Sequence, residues 1–212
     1  MTPDSGGPAG SGPADREGPG RIDSRLAYDG RVVRLTVDRV RFPDGSTGEL
    51  EMIRHRGASA VLPVIGRLGE PDPDVLLIHQ YRYAAGGEIY EVPAGIRGQD
   101  DATWEDCARR ELEEETGYRA GNLIPLTRIY TTPGFTDEVI HLYLAHDLTE
   151  GSSALETDEF VELVRLPFSE AIDWVGSGRI VDSKTIATLL YAAEFVVRRG
   201  EKAVIQPPFS AS

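Results

Sequence analysis

Three carboxylates, Glu111, Glu114 and Glu115, stand three and four residues apart in the run Arg110-Glu111-Leu112-Glu113-Glu114-Glu115-Thr116-Gly117. On an α-helix the positions i, i+3 and i+4 share one face, so these three stack together while Glu113 points elsewhere. Anions gathered within one turn repel each other unless a cation sits among them. Hard oxygen ligands concentrated in this way suit Mg2+ or Mn2+, which take a few carboxylates and keep positions open for phosphate oxygens and water. A solvated acidic helix face is the plain alternative, and the neighbouring residues decide between the two.

The helix that must carry these groups has clear ends. Thr103 is placed to cap its start, with Asp106 three residues on as a shortened capping box, and Gly117 stops it. Around it the chain reads mostly as short strands. Residues 32–42 and 50–54 form two strands joined by the turn Pro43-Asp44-Gly45. Residues 58–65, 75–83 and 89–92 are β-rich apolar runs, the last ending at Pro93-Ala94-Gly95. Residues 123–130 and 139–145 are further strands with a loop, 131–138, between them, and 160–166 is another. Two helices follow: residues 169–175, ending before Gly176, and a longer one capped by Asp182 and ending near Arg198-Arg199-Gly200. This order predicts a mixed sheet flanked by helices, an α+β or α/β sandwich.

At 212 residues, 40% of them hydrophobic, the chain has material for one domain plus a modest extension. Residues 1–22, rich in Gly and Pro, cannot bury an apolar face and are expected to form a disordered tail, with order beginning near Leu26. The expected division is this tail, a β extension over 23–57, the main domain over 58–200 and a C-terminal tail over 201–212. A net charge of −13 argues against binding nucleic acid or an anionic membrane. No apolar run is long enough to span a bilayer, and the N-terminus lacks the basic and apolar blocks of a secretory signal. Cys107 is the sole cysteine, which excludes an internal disulfide and fits a reducing, cytoplasmic setting. Its place beside the stripe Trp104, Ala108 and Leu112 makes it a packing residue rather than a nucleophile. His55, His79, His141 and His146 have no metal-ligand spacing and read as packing or surface residues.

From Gly95 to Tyr118 the sequence resembles the Nudix box: Gly, five residues, Glu, seven residues, then Arg-Glu-aliphatic-any-Glu-Glu-any-Gly-aliphatic. Arg110, Glu111, Leu112, Glu114, Glu115 and Gly117 all fall in register, with Tyr118 in the final aliphatic place. The first half departs. The position of the first Glu is held by Ala102, and Gly95 lies one residue too far upstream, so the loop carries an insertion; Asp100 or Asp101 is the available substitute. The resemblance implies a Nudix-like α/β/α sandwich, Glu111 and Glu115 as main metal ligands, Glu114 sharing or bridging ions, and the backbone carbonyl of Ala94 as a further ligand. It also has Arg110 pairing with a carboxylate at i+4 and fixing its orientation.

Gln80-Tyr81-Arg82-Tyr83, Glu91-Val92-Pro93-Ala94-Gly95 and Pro133-Gly134-Phe135-Thr136-Asp137-Glu138 extend the likeness, and together look like the ADP-ribose pyrophosphatase branch. That branch implies hydrolysis of ADP-ribose to AMP and ribose 5-phosphate with Mg2+ or Mn2+. Arg82 would contact the diphosphate, for which a guanidinium fork is well suited. Glu138 would act as general base, with Asp137 as the neighbour that could take its place, and Gly134 and Phe135 would lie against substrate. Glu91 would orient the terminal ribose or a water. A homodimer is implied too, in which strands of residues 26–56 complete the partner's site. Tyr28, Phe42 and Phe135 are candidates to stack on adenine, and Arg54 and Arg56 to meet phosphate across the interface. Another nucleoside diphosphate sugar as substrate, or a ligand sensor of the same fold without turnover, are the competing expectations.

Overall fold

The computed structural model describes residues 18–151 and 161–197. It divides into two compact units, one ending at Ile53 and the other beginning at Arg54. Within the second unit, Arg54 and the backbone of His55 bond to Asp137.

The first unit is a three-stranded sheet in the order β1 (Gly20–Asp29), β2 (Arg34–Arg41), β3 (Thr47–Arg54). Strand β1 pairs antiparallel with β2 from Gly20↔Arg41 to Asp29↔Arg34, with two register shifts. Two expectations are corrected here. Order does not wait for Leu26, and residues 20–22, assigned to the tail, belong to a strand. The sequence signal was weak because every residue of β1 is exposed, so no apolar alternation marks it. Residues 1–17 and 201–212, the bulk of the two expected tails, lie outside the described residues.

The second unit holds a seven-stranded mixed sheet. Its main path runs β10 (Val161–Pro167), β5 (Asp74–Arg82), β4 (Ala58–Ile65), β9 (Val139–Glu150), β8 (Tyr118–Tyr130), with β6 (Gly87–Glu91) on β5 and β7 (Ala94–Ile96) on β4. Strands β4 and β9 are parallel, from Ala58↔Ile140 to Pro63↔Ala145, and the neighbouring pairs are antiparallel. Central β4 is buried on both faces, which accounts for its apolar run, interrupted only by Ser59, whose hydroxyl donates to the Trp104 carbonyl.

Successive side chains of a strand point to opposite faces, and here that alternation sorts the two helical layers. Ala60, Leu62 and Val64 of β4, with Leu142 and Leu144 of β9, share a core with Phe168 and Ala171 of α2 (Phe168–Gly176) and Leu189 of α3 (Ser183–Ala192). Val61, Tyr143 and Ala145, one residue out of phase, pack against Ala108 and Leu112 of α1 (Trp104–Thr116). The architecture is the α/β/α sandwich. Helix α1 begins at the expected capping box, Thr103 and Asp106 exchanging both bonds, a device worth about 1 kcal/mol. It stops at Gly117, whose φ of 73° favours a residue without a Cβ.

Trp104 opens α1 and stacks on His141 of β9 at 4.3 Å, with the Arg97 guanidinium 4.7 Å from the Trp104 ring. Burial pushes the His141 imidazole down to about 4, so it is neutral in the folded chain near pH 7. Because this folded value lies below the ordinary 6.5, the unfolded chain binds the proton first, and stability is lost as pH falls from about 6.5 towards 4. A His141→Phe variant keeps the stack and removes the proton. Its melting midpoint should fall less than that of the parent between pH 7 and 4.5, as followed by circular dichroism. Equal falls would place the acid sensitivity elsewhere.

Candidate active site

Strand β6, the bend after it and β7 bring the backbone of residues 91–96 over the middle of α1. The amide of Ala94 donates to Glu115 Oε2 at 3.0 Å, and Gly95 lies directly over the Glu111 carboxyl. Glu111 is 7% and Glu115 4% exposed, whereas the Glu114 side chain stays 38% exposed at the edge of the face. The three carboxylates do share a face, but two are roofed by the loop and one is not. Glu113 points away and pairs with Arg119 at 2.7 Å.

The Gly at position 95 has a packing reason. A Cβ there would press into the Glu111 carboxyl, the end of a flexible side chain rather than backbone. Gly95→Ala should therefore cost little stability, because Glu111 can swing aside. It should cost roughly 10- to 100-fold in metal affinity or kcat, the scale on which a mispositioned ligand is felt. Calorimetric metal titration beside thermal melts tests this; a variant that unfolds or one that binds metal normally would each contradict it.

Arg110 gathers the surrounding acids. Its Nη1 lies 2.7 Å from Glu111 and 2.8 Å from Glu114, and Nε and Nη2 meet the Asp101 carboxylate at 3.2 and 2.9 Å. Asp101 is buried and also accepts the amide of Gly98 at 2.7 Å. The choice left open between Asp100 and Asp101 is thus decided. Asp101 ties the lengthened loop to the helix where the pattern has a Glu. Its hydrogen bond to Arg110 holds the carboxyl below the usual aspartate range, and Asp101 in turn pushes the guanidinium up. Asp101, Glu111, Glu114 and Glu115 against Arg110 give a formal charge of 1 − 4 = −3 in a partly buried space. Such a field favours a divalent cation.

Among the described residues, no three His, Cys, Asp or Glu groups already converge at ligand distance, and Arg110 spans Glu111 and Glu114 instead. The donor set nevertheless fits the ions expected, being oxygen-only, anionic and shaped by a glycine that leaves Glu111 its place. Cys107 is fully buried, with Sγ 3.6 Å from the Gly95 carbonyl, and burial pushes its thiol up to about 11. It packs, as expected, and is a poor nucleophile.

The loop 131–138 is closed by the Thr131 amide on the Glu138 carbonyl at 3.3 Å and turned by Phe135 and Thr136 amides on Thr132. Within it the two acidic neighbours differ. Asp137 is engaged at both oxygens, by Arg54 Nη1 at 3.0 Å and by the His55 amide at 2.8 Å. Glu138 accepts the Thr131 hydroxyl at 2.8 Å and has His55 Nδ1 at 3.4 Å. His55 Nδ1 itself accepts the Gly57 amide at 3.1 Å, so the imidazole is held by its own turn beside Glu138. Its spacing gave no sign of this, since Glu138 lies far along the chain. Gly134 and Phe135 are exposed at the loop tip. Tyr28 is exposed and Phe42 lies against Gly48 in the first unit.

Arg82 ends β5 with its Nε 2.8 Å from Glu91 Oε2. Glu91, only 3% exposed, also accepts Gln80 Nε2 at 2.6 Å and pairs with Lys184 of α3. Lys184 and Thr185 were missed by sequence reasoning. One signal was present: a lysine in the first turn of a helix opposes the positive end of its dipole and needs a local anion. Thr185 Oγ1 accepts the Val92 amide at 2.9 Å, docking α3 onto the same bend.

A family model described as NUDIX domain matches residues 54–189. A methanol dehydrogenase activator of Bacillus methanolicus is 40% identical over 174 residues, spanning 80% of this chain and 90% of its own length. An ADP-ribose pyrophosphatase of Bacillus subtilis (strain 168) is 37% identical over 172 residues, with the same shares of 80% and 90%. A solved structure named as an ADP compounds hydrolase superposes with a TM-score of 0.73 at 20% identity, covering 87% of this chain and 97% of the other. At that identity it speaks for the fold.

Proposed function

The chain belongs to the Nudix domain family, and from that premise we propose that it hydrolyses ADP-ribose to AMP and ribose 5-phosphate with Mg2+ or Mn2+. The observation that carries this reading is the pair of buried carboxylates Glu111 and Glu115 under the bend at Ala94 and Gly95. Glu111, Glu114 and Glu115, with the Ala94 carbonyl, would hold the cation. When bound, it supplies charge neutralisation at the diphosphate and acidifies water. Arg82 presents its guanidinium to the phosphate oxygens. Gly134 and Phe135 belong to the loop that closes on substrate, and that loop carries Glu138 to the attacking water. Glu138 takes the proton as the water oxygen bonds to phosphorus. The bridging P–O bond breaks, and the leaving phosphate departs with its electron pair. Glu91 serves by setting the groups around it.

The test is a panel of nucleoside diphosphate sugars, including GDP-mannose, compared by kcat/KM with either metal and with a chelator. ADP-ribose should stand among the best substrates, and removal of divalent ions should stop release of AMP. A better sugar nucleotide would move the substrate within its class. Silence across the panel would favour a ligand sensor of the same fold.

We also infer a homodimer built on the first unit. Its strands leave Ile22, Leu26, Tyr28 and Leu50 exposed, the connection from β1 to β2 adds exposed Val32 and Val33, and a three-stranded sheet needs an apolar face covered to be stable. A second copy is the occupant that this reading requires. Light scattering should give twice the chain mass, and a Leu26→Glu/Tyr28→Glu variant should give the monomer. A parent that is already monomeric would remove the dimer. No helix among the described residues is long and apolar enough to cross a membrane. The lone buried thiol suits the cytoplasm, where we place the chain.

A further inference from the structure

We propose that Lys184 is a positioning residue that keeps Arg82 available to the substrate by occupying half of Glu91. This rests on the assignment of Arg82 to the diphosphate. Arg82 and a carboxylate ordinarily form a fork, two parallel N–H bonds to the two oxygens. Here the fork does not form. Arg82 gives only Nε, to Oε2 of Glu91, and no other hydrogen bond of this side chain occurs among the described residues. The same Oε2 also takes the Gln80 amide. The other oxygen, Oε1, is held by Lys184 Nζ.

The arrangement is built rather than incidental. Glu91 and Lys184 side chains are 4% and 12% exposed, so their pairing is shielded from water, whereas Arg82 is 46% exposed. Lys184 is itself fixed, with Nζ 3.1 Å from Asp182, the residue that caps α3 through the Thr185 amide at 2.9 Å. Thr185 then fastens α3 to the Val92 amide, next to Glu91. The first turn of α3 thus delivers a cation to one oxygen of a buried carboxylate on β6. Were Lys184 absent, Oε1 would be a buried anionic acceptor facing a guanidinium with its Nη groups free to turn. Arg82 would close the fork on Glu91 and lose the edge it presents outward.

Lys184→Met should raise KM for ADP-ribose and the Kd for inorganic pyrophosphate, measured by calorimetry with Mg2+, by about tenfold each, the scale of one charge-assisted hydrogen bond. The change in kcat should stay within about threefold, since Lys184 touches no reacting atom. Lys184→Arg should stay near the parent. The deciding variant is Lys184→Met/Glu91→Gln: with the competing charge gone, Arg82 is released and most of the affinity returns. A merely structural role for Lys184 predicts that a second cut in the network makes matters worse. Should Lys184→Met fold poorly by circular dichroism, Lys184→Gln with and without Glu91→Gln makes the same comparison. Affinity within twofold of the parent in the single variant, or a double variant no better than the single, overturns the proposal. If the parent itself leaves ADP-ribose intact, the functional reading fails, while the pyrophosphate series still decides the role of Lys184.

Discussion

Glu115→Gln is expected to lower kcat by about 10³-fold or more, the upper scale for deleting one electrostatic group at a charged transition state. The fold should survive. Gln keeps an oxygen to accept the Ala94 amide, the bond now made at 3.0 Å. Removing one of four clustered carboxylates, three of which already compete for Arg110, also relieves repulsion, so the melting midpoint should hold or rise. Activity and stability then move in opposite directions, which separates a metal-holding carboxylate from one kept for packing. Steady-state kinetics, metal titration and thermal melts on the same sample make the comparison. A destabilised variant with normal metal binding would make Glu115 a structural residue and leave the catalytic face without its centre.

Glu138→Gln should reduce kcat by at least about 10²-fold, the lower scale for a lost general base, with KM little changed. Asp137→Asn offers the contrast. Its carboxylate is engaged by Arg54 and the His55 amide, so its loss loosens the loop without removing the base and should cost under about tenfold. The separation matters because the two acids are adjacent in sequence. A Glu138 variant with near-parent rate, beside an inactive Asp137 variant, would reverse the two roles.

Much of this site is legible in the sequence itself. The spacing of Glu111, Glu114 and Glu115 put them on one face because the helical period is fixed. The ends of α1 followed from Thr103, Asp106 and Gly117, each acting within a turn of itself. Strand β4 was found at its observed bounds because a strand buried on both faces shows as a plain apolar run. Strand β1 escaped for the opposite reason, having no buried face to impose a pattern. The register shift of the Nudix box was visible, but not which aspartate answered for it.

Local chemistry therefore settled which helix carries the carboxylates, where it starts and stops, and which family it resembles, because those properties depend on residues a few positions apart. The tertiary structure alone decided which acids are roofed and which stay open, that Asp101 takes up Arg110, and that Asp137 is tied while Glu138 faces His55. It also decided that Lys184, 93 positions from Glu91, shares its carboxylate with Arg82. Such pairings follow from how strands and helices dock across the sheet. No periodicity along the chain encodes which distant charges will meet there.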